Sequence, residues 1–189
     1  IGGFNNYKQT TYYKQAYEKI LNDPSMKFIC ILDKDYYNKH DQYAVNKYLS
    51  AINIKCIFTA GKELVNFFLN YNFYTSLLKN NPNLEPFWDD LFKMDGALFE
   101  ESFATYFTFY QEQHKGLAPG TAYKKAKELF KYEWEKEPTK IVHGKNAFKA
   151  IKEWLHSEFR MNIYNSHLVK WLSRNDKEFI SWTKKIMDM

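Results

Sequence analysis

Three short segments hold the residue types that could do chemistry. The first is Asp33-Lys34-Asp35, which ends the apolar run Phe28-Ile29-Cys30-Ile31-Leu32. Residues i and i+2 of an extended chain point to the same side. Two carboxylates placed so concentrate a negative charge that a cation would relieve. Hard oxygen ligands of this kind suit Mg²⁺ or Mn²⁺. The plainer alternative is a solvated turn after a strand, because D-x-D is a common pattern. The second segment is Gly61-Lys62-Glu63-Leu64-Val65-Asn66-Phe67-Phe68-Leu69. Glu63 could complete a carboxylate cluster, or could simply be a Glu in a first helical turn, favoured by the macrodipole. The third is His143-Gly144-Lys145-Asn146. Gly144 reads as a helix N-cap. Lys145 in the first turn opposes the helix dipole, and an anion such as a scissile phosphate would offset that. An exposed lysine tolerated at small cost is the other reading.

The elements that must position these residues follow from the hydrophobic pattern. Tyr7–Leu21 reads as a helix stopped by Asp23-Pro24-Ser25. The run before Asp33 is continuous and apolar, as strands buried on both faces are, and Ile54–Phe58 reads as a second apolar strand. Between them Asp41–Ala51 reads as a helix capped by Asp41, and Glu63–Leu69 opens another. The alternation predicts an α/β fold with a parallel sheet flanked by helices. Ligands of such sheets bind outside the carboxyl ends of the strands, where Asp33, Asp35 and Glu63 all fall.

Beyond residue 71 the spacing is helical: Phe73–Leu78, Glu85–Phe92, Ala97–Gln113, Thr121–Glu137, Lys145–Phe159, Ser166–Ser173 and Lys177–Met187, with Ile141-Val142 as a short edge strand. Phe99, Phe103, Tyr106, Phe107 and Tyr110 recur at helical spacing and predict a buried stripe or a partner interface.

Composition limits the function classes. The chain has 189 residues, with 19% aromatics and only 7 Gly and 5 Pro, which suits a packed domain rather than a disordered one. No apolar run approaches the ~18 residues needed to cross a bilayer, and no signal peptide is visible. The chain opens on Ile at a Gly-Gly turn, so it reads as a fragment that starts upstream. Cys30 and Cys56 read as buried free thiols, in keeping with the cytoplasm. His156 and His167 lack metal-ligand spacing. There is no P-loop, Rossmann fingerprint or G-x-S-x-G. Residues 1–114 hold 11 Lys/Arg and 13 Asp/Glu, and residues 115–189 hold 16 and 9, so the charge is split into an acidic and a basic part. That split suits a metal site beside a phosphate-binding surface, although charge alone favours the plainer reading of a solvated helical surface.

Taken in order, these segments resemble the Toprim domain of the OLD-family (overcoming lysogenisation defect) nucleases. IGGFNNYK is similar to the glycine turn after the second Toprim strand, ILDKDYY to the strand ending in D-x-D, GKELVNFFL to the E-x-E-N-aromatic-Leu segment, and IVHGKNAFKAI to the later G-K motif. The resemblance covers residues 1–70 and 140–189. Residues 71–139 look like a helical insertion. It implies a Toprim-like core over 1–70 lacking its first strand, with 140–189 as the closing part and helical tail. It implies a two-metal DNA endonuclease or nickase, in which Asp33, Asp35 and Glu63 bind Mg²⁺ or Mn²⁺ and Lys145 stabilises the phosphate. It also implies an N-terminal ABC-type ATPase in the same full-length chain and a role in antiphage defence, and the expected assembly is a homo-oligomer. Lys124, Lys125, Lys127 and Lys131 could hold the DNA backbone. Two departures stand out. The Glu of the first Toprim strand is missing, and the second Glu of E-x-E-N is Val65. A non-catalytic Toprim-like module binding nucleic acid or protein, and an unrelated flavodoxin-like domain, remain as alternatives.

Overall fold

The computed structural model describes residues 4–23 and 26–187. A 3-10 turn at Phe4–Gln9 leads into α1 (Thr10–Leu21), followed by β1 (Phe28–Leu32), α2 (Lys39–Ala51) and β2 (Ile54–Phe58). A 3-10 turn at Leu64–Phe68 opens the helical remainder. This comprises α3 (Tyr71–Leu77), α4 (Leu84–Leu91), α5 (Ala97–Gln113), α6 (Pro119–Lys136), α7 (Pro138–Ile141), α8 (Gly144–Phe159), α9 (Asn165–Asn175) and α10 (Lys177–Met187). The two strands pair in parallel, Phe28 opposite Ile54 and Leu32 opposite Phe58. Among the described residues they are the whole sheet, so the fold is a helix-rich α/β one around a small parallel pair.

Each strand is short and rich in β-branched or aromatic residues, which suit a pleated, half-buried surface; Ile31 of β1 is exposed, so that strand is not buried on both faces as expected. Val45 and Leu49 of α2 cover one face of the pair, packing with Cys30, Leu32 and Ile54 in a small core. A capping box starts α2. Asn38 Oδ1 accepts from the N–H groups of His40 and Asp41 at 2.8 and 3.0 Å, and Asp41 Oδ2 accepts from the Asn38 N–H at 3.3 Å. The cap is therefore Asn38, and Asp41 is its partner three residues on, where the sequence reading had put the cap itself.

Ile57 lies in a second, larger core with aromatic and aliphatic residues from the 3-10 turn at Leu64–Phe68 through α10. Segment 71–139 and segment 140–189 both contribute to it. Trp134 Nε1 donates to Phe92 O at 2.8 Å, and Trp182 Nε1 donates to Phe58 O at 2.9 Å, which ties α10 to the end of β2. Phe87 and Trp154 stack at 4.1 Å, joining α4 to α8.

Several local expectations need correction. Ile141-Val142 is not an edge strand; Ile141 ends the short helix α7, which Pro138 starts from a first-turn position where its missing N–H costs nothing. The segment after Glu63 is a 3-10 turn rather than an α-helix. His143 is the N-cap of α8, and Gly144 is its first helical residue. The Gly-Gly turn at which the chain opens, at Ile1–Gly3, lies outside the described residues.

The aromatic stripe of α5 belongs to the core of this chain. Phe99, Phe103 and Tyr110 are buried, and Tyr106 and Phe107 are partly so. Phe103 packs against Tyr123 and Phe130 of α6. Phe103→Ala should therefore cost about 3–5 kcal/mol, and Phe107→Ala distinctly less. Urea melts of the two variants check this; equal losses would show that the stripe is not packed as described.

Candidate functional site

Because β1 and β2 run the same way, their carboxyl ends share one edge, and the loops leaving them are bonded together. Thr59 N donates to Leu32 O at 3.0 Å. Thr59 Oγ1 accepts from Lys34 N at 2.9 Å and donates to Gly61 O at 2.8 Å. Asp35 N donates to Lys62 O at 2.8 Å, and Leu64 N donates to Asp33 Oδ1 at 2.8 Å. The D-x-D loop and the loop carrying Glu63 are thus stapled to each other. Asp35 sits in a turn at φ 47°, a left-handed conformation that Asp tolerates better than most residues. The backbone is not extended there, so the i, i+2 argument for two carboxylates on one side does not apply.

Glu63 is buried and looks towards the start of α8. Its Oε2 accepts from Lys145 N at 3.3 Å, and its Oε1 lies 3.7 Å from His143 Nδ1. A carboxylate at the N-terminus of a 16-residue helix is favoured by the helix dipole. The contact to His143 is too long for a hydrogen bond. That Nδ1 is buried and has no hydrogen-bond partner among the described residues.

Asn66 holds this arrangement. Its Oδ1 accepts from Glu63 N at 2.6 Å, and its Nδ2 donates to Thr139 O at 2.7 Å and Val142 O at 3.2 Å. Glycine at position 144 eases the close approach of α8. A Cβ there would lie 3.0 Å from Asn66 Oδ1 and 3.2 Å from Glu63 Oε2.

Two residues that sequence reasoning passed over sit at the centre. Lys62 is buried at 4% exposure, with its ammonium 4.8 Å from the centre of the Tyr36 ring. Burial pulls the Lys62 ammonium below its ordinary value, while Glu63, Asp35 and Glu101 hold it up and Lys145 adds to the lowering. Tyr36 donates its hydroxyl to Ser102 O at 3.1 Å, with Ile141 O at 3.5 Å. Burial pushes the Tyr36 phenol well up, and the Glu63 and Asp35 carboxylates add to it. Glu101, which accepts from Asn146 Nδ2 at 2.5 Å, is a further acid of this neighbourhood. The signal for Lys62 was its place between a strand and Glu63; nothing in the sequence marked Glu101, which arrives from α5.

Asp33, Asp35 and Glu63 therefore share one edge. Among the described residues, no three His, Cys, Asp or Glu side chains gather closely enough to grip a metal ion. Lys145 is exposed, and its ammonium has no ion-pair partner among the described residues. Of the α6 lysines, Lys124 and Lys125 are exposed. Lys127 pairs with Glu100 at 3.2 Å and Asp95 at 3.7 Å, and Lys131 with Asp95 at 3.4 Å. No described helix is long and apolar enough to cross a membrane. No family model, curated protein or solved structure matches the chain.

The Tyr36 phenol stays neutral in the fold, whereas the unfolded chain ionises it near its ordinary value of 10.0. Below that pH both states keep the proton; above it the unfolded state gains, so this group lowers stability as pH rises. Tyr36→Phe should cost about 1 kcal/mol near neutral pH through the lost hydrogen bond. The deficit should shrink in alkali, because the variant has no phenol to ionise. Urea denaturation at about pH 7 and about pH 11 measures it; a constant deficit would contradict the assignment.

Proposed function

We propose that the chain is a Mg²⁺- or Mn²⁺-dependent DNA phosphodiesterase, an endonuclease or nickase on a Toprim-like arrangement. One observation carries this reading. The D-x-D loop and the Glu63 loop are stapled at the carboxyl edge of a parallel pair, with the N-terminus of α8 beside them and a Lys145 ammonium that has no ion-pair partner among the described residues. The donor set is three carboxylates, whose hard oxygens are chemically right for either ion. Asp33, Asp35 and Glu63 would hold it only by drawing closer than they stand in this structure, where they share an edge without forming one group. When bound, the ion neutralises charge on the phosphate and makes a water more acidic.

The chain's own residues do the positioning. The bond from Leu64 N fixes one Asp33 oxygen and leaves the other for a ligand. The α8 amide at Lys145 fixes Glu63 Oε2. The Lys145 ammonium, on the exposed first turn of α8, would meet charge that develops on the phosphate. Lys124 and Lys125 would add sequence-independent backbone contacts. On this reading the protein acts in the cytoplasm, works with an ABC-type ATPase of the same full-length protein in antiphage defence, and assembles as a homo-oligomer.

A second reading, a non-catalytic module that binds nucleic acid or protein, is favoured by two specific features. Val65, which stands where the motif has its second Glu, packs against the large core. Lys62 already places a positive charge among the acids. Cleavage assays separate the two readings. Asp33→Asn keeps an acceptor for Leu64 N and removes the charge. It should abolish metal-dependent nicking of plasmid DNA by the full chain while leaving the thermal melt within a few degrees. Equal nicking by wild type and variant would remove Asp33 from the reaction.

Lys145 gives an independent test. Lys145→Ala should lower the single-turnover rate at saturating DNA by roughly 10²–10³-fold, the range seen when one transition-state donor is lost. Stability should hold or rise slightly, since the dipole conflict is gone. An unchanged rate constant with weaker binding would make Lys145 one backbone contact among many.

A further inference from the structure

Beside the Asp33–Asp35 loop lies a pocket of about 370 Å³, within the range of small-ligand sites. Tyr36, Tyr37, Tyr106 and Phe130 form its walls, and Lys34 and Lys39 stand among its lining residues. It opens between the D-x-D loop, the first turn of α2 and the α5–α6 pair, so Asp35 belongs to both the pocket and the candidate site.

The chemistry of the lining discriminates among ligands. Aromatic rings offer faces for a planar apolar group. Neither Lys34 nor Lys39 takes part in an ion pair among the described residues. Lys39 is moreover the first residue of α2, where a cation opposes the helix dipole and gains from a bound anion. A purely apolar ligand would leave two lysines unused. A simple anion would meet Asp35 and Glu133, which also line the pocket. A molecule with a flat ring that carries amino groups and a phosphate a few ångströms away satisfies all of these.

We propose that this pocket takes one unpaired nucleotide of the strand being cut, with its base against the aromatic wall and a flanking phosphate at Lys34 and Lys39. Glu133 accepts from an amino group on the base edge. Bases stacked in an intact duplex cannot enter such a pocket, so the preferred substrate is single-stranded, flapped or frayed. This specificity rests on the phosphodiesterase reading, but binding can be measured without cleavage.

The test uses the full chain in EDTA with a short single-stranded oligonucleotide carrying 2-aminopurine, and the matching duplex. The fluorescence of the probe should change on binding, and the single strand should bind about tenfold tighter than the duplex. Tyr37→Ala should abolish the fluorescence change and weaken binding about tenfold, the scale of one lost base stack, while Tyr37→Phe retains both. Lys39→Ala, a surface change that does not threaten the fold, should weaken binding several-fold and reduce the salt dependence. Binding of the single strand that is indifferent to Tyr37→Ala and Lys39→Ala would overturn the pocket and leave the nuclease reading standing. Failure to bind any strand would overturn the pocket together with the nucleic-acid reading. Loss of cleavage in Asp33→Asn alongside intact, pocket-dependent binding would support both.

Discussion

The side chain of Asn66 is the constraint on which the carboxylate edge depends. One amide satisfies the Glu63 N–H on one side and the Thr139 and Val142 carbonyls on the other. It therefore joins the turn after β2 to the junction of α7 and α8. Those groups are buried or nearly so, and a buried backbone group without a partner costs far more than an ordinary hydrogen bond contributes. No other residue type offers an acceptor and two donors in so short a reach. Glycine at 61 and 144 completes the device, because a Cβ at either place would press on Asn66 itself.

Around this brace the charges are arranged as a network with few free members. Lys62 lies inside, against the Tyr36 ring, near Glu63, Asp35 and Glu101. An ammonium there is costly to bury and is retained because the surrounding carboxylates repay part of that cost. The same interior charge limits how much further positive charge the edge can accept. Glu63 is committed to the α8 amide, and on the proposed reading it would have to serve a cation as well. Asp33, on the other loop, has one oxygen held by Leu64 N.

Much of this was legible in the sequence where local patterns dominate. The apolar runs of β1 and β2, the bounds of α5 and α10, and the burial of Phe99, Phe103 and Tyr110 follow from periodicity and length alone. The strand ends placed Asp33 and Glu63 near one edge for the same reason. What failed depended on single side chains or long-range contacts. Asn38 takes the cap because α2 begins at Lys39, which makes Asp41 the third residue of the helix and the other half of the capping box. The left-handed turn at Asp35 is set by its hydrogen bond to Lys62, which no local pattern announces. The short helix at Pro138 won over a strand because β-branched Ile141-Val142 had no strand to pair with. Lys62, Tyr36 and Glu101 come together from three separate parts of the chain, so their convergence is a property of the packing.

The reach of the Asn66 amide has a consequence for the protein's synthesis. Its partners lie 73 and 76 residues further along the chain. At a ribosomal pace of about 5–20 residues per second, roughly 4–15 seconds pass between the appearance of Asn66 and that of Val142. Throughout that interval the two strands and their acidic loops can exist, but the brace cannot. Until then the Asn66 Nδ2 group lacks its Thr139 and Val142 partners and must bond to water instead. Only when the segments of α3 to α6 have been made can the chain return to close it.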